Sequence, residues 1–177
     1  MLLIQLTGLS GVGKTTLAYL VKEKLLSKGY KVEVIDGDEF RKHLCKDLTF
    51  SKEDREENIR RLGIVSNILA KNGIITLMAA INPYKTTRKE IKEYGNHVKT
   101  VWINCELNTL IQRDTKGLYK RAMLPNSHPN KLYDLTGVND TYDIPLTYDI
   151  LIDTTNNSEA TCTKMLIDFI LLQINSI

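Results

Sequence analysis

What this 177-residue sequence lacks already narrows its function. Its three cysteines, Cys45, Cys105 and Cys162, are odd in number and far apart, and they form no C-x-x-C or metal-ligand spacing. A disulfide framework is excluded, and a reduced cytoplasmic compartment is expected. No apolar run approaches the roughly 20 residues of a membrane-spanning helix, so no membrane partner is expected. No leader is expected either, because a glycine-rich segment already begins at Gly8. There is no internal repeat and no low-complexity linker, which predicts a single domain over residues 1–177. The absence of G-x-G-x-x-G argues against a dinucleotide-binding dehydrogenase, and that of N-K-x-D against a guanine-reading switch. Charge of one sign is also scarce: 24 basic against 21 acidic residues leave a formal +3. That suits an anionic small molecule, whereas a nucleic-acid polymer calls for a concentrated basic stripe.

What is present is concentrated in the first fifteen residues. Leu2 to Leu6 is a short apolar run, long enough for a buried parallel strand. Gly8-Leu-Ser-Gly-Val-Gly-Lys-Thr15 then matches G-x-x-x-x-G-K-[ST] without a gap. Thr16 to Leu26 carries Leu17, Leu20, Val21 and Leu25 at helical spacing. Strand, glycine loop and helix together predict a phosphate-binding loop. Gly8, Gly11 and Gly13 allow the backbone to approach an anion, and the helix adds its positive dipole end. Lys14 reaches the β- and γ-phosphates, and the Thr15 hydroxyl can ligate Mg²⁺.

Further along, Lys31–Ile35 reads as a second strand running into Asp36-Gly37-Asp38. Two carboxylates at the carboxyl end of a strand could hold Mg²⁺ or take a proton from a hydroxyl nucleophile. The same residues also describe an Asp-Gly turn and a helix N-cap. A helix is expected over Phe40–Cys45. Another, over about Lys52–Lys71, opens on a Ser51/Asp54 capping box, with Ile59, Leu62, Ile64, Val65, Ile68 and Leu69 as its buried stripe. Its basic first turns, including Arg55 beside Asn58, fit either a solvated face or an anion grip. Gly73–Ile81 is the most hydrophobic strand candidate and reads as the central one, ending at Asn82-Pro83-Tyr84. A short helix over Thr86–Tyr94, a strand over Val98–Asn104 with Trp102 as a core residue, and a helix over Leu107–Gln112 follow. The stretch Arg113–Arg121, with Arg113, Lys116, Lys120 and Arg121 broken by Gly117, reads as a solvated surface or as a hinged lid. A last strand over Asp149–Asp153 and a helix over Glu159–Ile174 close the chain. Five strands alternating with helices predict an α/β fold, a parallel sheet covered on both faces.

Several segments in this order resemble those of the adenylyl-sulfate kinase family, which phosphorylates the 3′-hydroxyl of adenosine 5′-phosphosulfate. They are Gly8 to Thr16, Asp36-Gly-Asp38 with Arg41, Asp47-Leu-Thr-Phe-Ser51, Asp54-Arg55 with Asn58, Ile81-Asn-Pro-Tyr84 with Arg88, Arg113-Asp-Thr-Lys-Gly-Leu-Tyr119, Thr136-Gly137 and Tyr142. The resemblance implies a P-loop kinase fold with a basic lid over about residues 113–135. It implies that Gly8, Ser10, Gly11, Gly13, Lys14, Thr15, Thr16 and Arg113 hold ATP, with Mg²⁺ on Thr15 and Asp36. Asp36 would act as base or orient the hydroxyl, with Asp38 near metal or acceptor and Lys116 closest to the phosphates. Asp38, Arg41, Phe50, Arg55, Asn58, Asn82, Lys116 and Leu135 would meet the nucleotide acceptor, Phe50 by stacking on its base. Homodimers are common among such enzymes, although no stretch of this sequence marks an interface.

The chain departs from the family pattern on the acceptor side. Thr49 stands where a glycine is usual, Asn82 where a serine is usual, and Leu135 where a phenylalanine completes an aromatic sandwich. Met123–Pro129 also differs. Loss of one stacking partner is expected to weaken base binding by roughly 1 kcal/mol. Either these are drift within the family, or the acceptor has changed, as in relatives that act on cytidine diphosphoramidate in capsule synthesis.

Overall fold

The computed structural model describes residues 1–175. In chain order the strands are β1 (Leu3–Thr7), β2 (Val32–Asp36), β3 (Ile75–Ala79), β4 (Val98–Asn104) and β5 (Ile150–Asp153). The helices are α1 (Lys14–Leu26), α2 (Gly37–Arg41), α3 (Lys52–Lys71), α4 (Lys85–Lys92), α5 (Leu107–Arg113), α6 (Leu118–Ala122) and α7 (Glu159–Asn175). The sheet is parallel throughout, in the order β2-β3-β1-β4-β5. The middle strand is therefore β1, and β3 lies between it and β2, which corrects the expectation that β3 is central. The polar residue that lowers the hydropathy of β1, Gln5, is fully buried but satisfied. Its amide nitrogen donates to Arg88 O (3.1 Å) and Thr100 Oγ1 (2.8 Å), and its oxygen accepts from Asn82 Nδ2 (3.0 Å).

Strand alternation divides the core into two layers. Leu2, Ile4 and Leu6 face α1 and α7 and pack with Val21, Leu25, Leu166 and Ile170. Leu3, Ile35 and Met78 face α3 and pack with Ile59, Leu62 and Ile91. Burial at about 25 cal/mol per Å² of apolar surface drives both layers. The buried face of α3 is rotated from the expected stripe: Asn58, Gly63, Ser66 and Ala70 are buried beside Ile59 and Leu62, whereas Ile64 and Ile68 are more than half exposed. Gly63 takes its position because α4 packs close. A Cβ on Gly63 would lie 3.0 Å from Ile91 Cδ1.

Two further expectations change. The helix after β2 is α2, earlier than Phe40–Cys45, because Asp36 caps it there, and residues 42–47 continue in turns. Trp102 is only partly buried and tilts against Tyr148, ring centroids 5.4 Å apart, beside a cavity shared with Leu9 and Tyr142. Among the described residues no helix is long and apolar enough to cross a membrane.

Candidate active site

The loop after β1 is shaped by close approach. Gly8 has φ +156°, and a Cβ there would lie 2.2 Å from Ile103 O on the neighbouring β4, so no other residue fits. Gly13, in the left-handed region at φ 93°, leads into α1. Lys14 is buried, and its Nζ donates to Gly8 O (2.8 Å) and Leu9 O (2.7 Å). Burial lowers its pKa to about 7; the Lys116 ammonium works in the same direction, and the Asp38 and Asp36 carboxylates oppose it.

Asp36 ends β2 and is buried. Its Oδ1 accepts from the backbone N–H groups of Asp38 (2.9 Å) and Glu39 (3.0 Å), which caps α2, and its Oδ2 accepts from Thr15 Oγ1 (2.7 Å). The turn and the functional reading of Asp36-Gly-Asp38 thus describe one structure. The cap anchors the carboxylate that meets Thr15. Asp38, two residues on, is exposed, and its Oδ2 lies 2.7 Å from Lys116 Nζ. The structure therefore brings Lys14, Thr15, Asp36, Asp38 and Lys116 into one charged cleft. No group of three or more His, Cys, Asp or Glu side chains able to hold a metal occurs among the described residues. The hydroxyl and carboxylate of Thr15 and Asp36 are hard oxygen donors, and Mg²⁺ commonly takes only one or two such protein ligands, with phosphates and waters supplying the rest.

The stretch after α5 is ordered by its own side chains. Asp114 accepts from Tyr119 N (3.0 Å) and Lys120 N (2.9 Å), capping α6. The buried Tyr119 hydroxyl donates to Ser10 O (2.8 Å), and burial pushes its pKa up to about 12, so it stays a donor. Tyr119 pins α6 to the phosphate loop, a role that sequence reading did not assign. Arg113 donates to Thr154 O (3.0 Å) and lines a pocket of about 190 Å³ with Gly11, Gly13, Thr16, Thr154 and Asn157. Thr154 and Asn157 also escaped sequence reading. Their position just past the carboxyl end of β5 was the available signal.

The acceptor-side candidates fall into two groups. Arg41, Phe50 and Arg55 cluster: the exposed Phe50 ring has the Arg41 guanidinium 4.4 Å and that of Arg55 5.4 Å from its centroid. Arg41 donates to Thr49 O, and burial together with the Arg55 charge lowers its pKa. Arg55 ties three segments, donating to Phe50 O (2.9 Å), Thr136 Oγ1 (3.2 Å) and Asp134 O (2.7 Å). Asn58, one turn further along α3, is buried with its Oδ1 unpartnered.

Asn82 and Leu135 do not join this cluster through an open side chain. Asn82 is fully buried at φ 44°, a left-handed conformation that asparagine tolerates. Its Nδ2 donates to Gln5, and its Oδ1 accepts from Thr87 Oγ1 at 2.9 Å. This corrects the expectation of an amide free for the acceptor, because every polar atom of that amide already serves the core. Leu135, 5% exposed, packs in the core layer of α1 and α7. Thr49 is bound through both its backbone N–H and its hydroxyl to Asp54.

Comparison with known proteins agrees with this geometry. The family model described as adenylylsulphate kinase matches residues 1–153. The chain is 47% identical over 148 residues to an adenylyl-sulfate kinase of Rippkaea orientalis, covering 83% of this chain and 78% of that one. It is 44% identical over 166 residues to one from Chloroflexus aurantiacus, covering 94% and 87%. Among solved structures, the APS kinase of Mycobacterium tuberculosis in complex with AMPPNP and APS is similar, with a TM-score of 0.87, 34% identity, and coverage of 96% of this chain and 97% of that chain.

Proposed function

Because the chain belongs to the adenylylsulphate kinase family, we propose that it transfers the γ-phosphoryl group of ATP to the 3′-hydroxyl of adenosine 5′-phosphosulfate. The observation that carries this reading is the meeting of Lys14, the Thr15–Asp36 pair and the Asp38–Lys116 pair in one cleft. Positioning and charge neutralisation are what in-line phosphoryl transfer asks of a protein.

In this reading the loop N–H groups and Lys14 hold the β- and γ-phosphates, and the pocket beside Arg113, Thr154 and Asn157 takes the donor base. Thr15 and Asp36 hold Mg²⁺, which when bound would offset the negative charge of the phosphates. Asp36 is a poor base, since both its oxygens already accept hydrogen bonds. Asp38 is the better candidate, because its carboxylate is exposed and, among the described residues, tied only to Lys116. It accepts the proton of the attacking hydroxyl, the oxygen bonds to the γ-phosphorus, and ADP departs. Lys116 moves its positive charge from Asp38 to the transferring group. Arg41 and Arg55 grip the phosphosulfate end, and Phe50 stacks on the acceptor base.

The burial of Asn82 and Leu135 and the local bonding of Thr49 favour drift within the family over a changed acceptor, since these residues are absorbed by core and capping contacts. The test is a coupled ADP-release assay with adenylyl sulfate and cytidine nucleotides in parallel. ADP is expected only with adenylyl sulfate. Release without an acceptor would indicate a switch, and release only with a cytidine nucleotide would restore the changed acceptor.

A further inference from the structure

A cavity of about 530 Å³ lies outside the machinery described above, between α4 and the segment leading into β5, and shares no lining residue with the pocket beside the phosphate loop. One wall is a basic helix face, with Lys85, Arg88, Lys89 and Lys92 at successive turns of α4. The other wall is apolar and aromatic, including Leu146, 83% exposed, and Tyr148, 43% exposed. The one carboxylate in the lining, Asp149, is already engaged by Lys92 Nζ (2.6 Å) and Thr100 N (2.7 Å). Lys89 has only a distant, exposed partner in Glu93 (3.9 Å), and Lys85 forms no ion pair among the described residues. Two neighbouring ammonium groups thus share a space of small-molecule size with an apolar wall of Pro145, Leu146 and the Tyr148 ring.

We propose that this cavity is a second nucleotide site, in which Lys85 and Lys89 bind the anionic groups of a nucleoside diphosphate and Leu146 and Tyr148 cover its base. Charge alone would suit any anion. The apolar wall opposite the lysines is what selects a ligand with a flat, weakly polar half. The cavity also touches the turn after β3. Arg88, buried in its lining, donates to Asn82 O (2.8 Å) and Pro83 O (2.9 Å) in the turn after β3. A nucleotide held against α4 therefore bears on a turn at the carboxyl edge of the sheet.

Equilibrium dialysis with radiolabelled ADP tests this on the full chain. The wild type should bind about two ADP per chain. Lys85→Glu/Lys89→Glu should bind one, with the second affinity at least tenfold weaker, and Lys85→Gln/Lys89→Gln should fall between. Both lysines are exposed, and turnover at low nucleotide should be unchanged in either variant. One ADP per chain in the wild type, or two in the charge-reversed variant, overturns the proposal. Displacement of the second ADP by inorganic diphosphate as effectively as by unlabelled ADP overturns the nucleotide assignment. Sedimentation velocity run in parallel should give the same mass for all variants; a wild-type dimer that the charge reversal dissociates would assign this face to a second copy of the chain instead.

Discussion

The donor and acceptor sides of the cleft are built differently. The loop from Gly8 to Thr15 draws much of its shape from near neighbours, since Lys14 bonds to carbonyls five and six residues back, with Ile103 O against Gly8 and Tyr119 on Ser10 O as its distant supports. The acceptor side is made by distant ones. Arg55 joins Phe50 to Asp134 and Thr136, about eighty residues away, and the left-handed turn at Asn82 is held by Gln5 of β1 and Thr87 of α4. A site made of local backbone tolerates little change in its own residues. Side-chain ties can absorb substitutions by repacking: Thr49 is taken up by Asp54, Asn82 by Gln5 and Thr87, and Leu135 by the core.

The largest expected effect falls on the donor side. Lys14→Ala should lower kcat by about 10³-fold or more, the scale of removing a cation from a transferring phosphoryl group. The ionisation of Lys14 supplies a second readout. Its pKa of about 7 rises when phosphate binds, so MgATP binding near pH 8 should take up close to one proton in the wild type and none in Lys14→Ala. Calorimetry in buffers of different ionisation enthalpy measures this, and equal uptake in both chains would show that the loop works without this amine.

Asp38→Asn should lower kcat by about 10²-fold with little change in the ATP KM, as expected on losing a general base. Asp36→Asn should mainly raise the KM for MgATP, because its oxygens serve the cap and Thr15. The opposite split between the two variants would return the base role to Asp36.

Smaller effects belong to the acceptor side. Phe50→Ala should raise the acceptor KM about tenfold, within the range for loss of a base-stacking ring, and leave the ATP KM alone. An unchanged acceptor KM would remove Phe50 from the pocket. Leu135→Phe places a larger ring at a position 5% exposed. It should cost about 1–3 kcal/mol of stability by overpacking, read as a lower Tm, with the acceptor KM within twofold of wild type. A tighter acceptor KM with unchanged Tm would mean that Leu135 borders the acceptor base after all.

Legibility follows the same division. Strand periodicity located all five strands to within about two residues at most ends, because alternation and apolar runs are local signals. The expected centre of the sheet was wrong because hydropathy cannot register that Gln5 is satisfied by Thr100, Arg88 and Asn82. Hydropathy alone puts Ile64 and Ile68 on the buried face of α3, whereas the close approach of α4 selects Gly63 there instead. Tyr119 was visible as part of a motif, but its bond to Ser10 spans more than a hundred residues.

By itself the sequence determined the alternation of strand and helix, the phosphate loop and the donor chemistry, since those depend on residue types at short, fixed spacing. Tertiary structure alone decided the strand order, the different hydrogen-bond partners of Asp36 and Asp38, and the burial of Asn82 and Leu135. Each of these depends on contacts between residues distant in the chain, whether a polar group that satisfies another or apolar side chains that enclose Leu135, and no local pattern records those contacts.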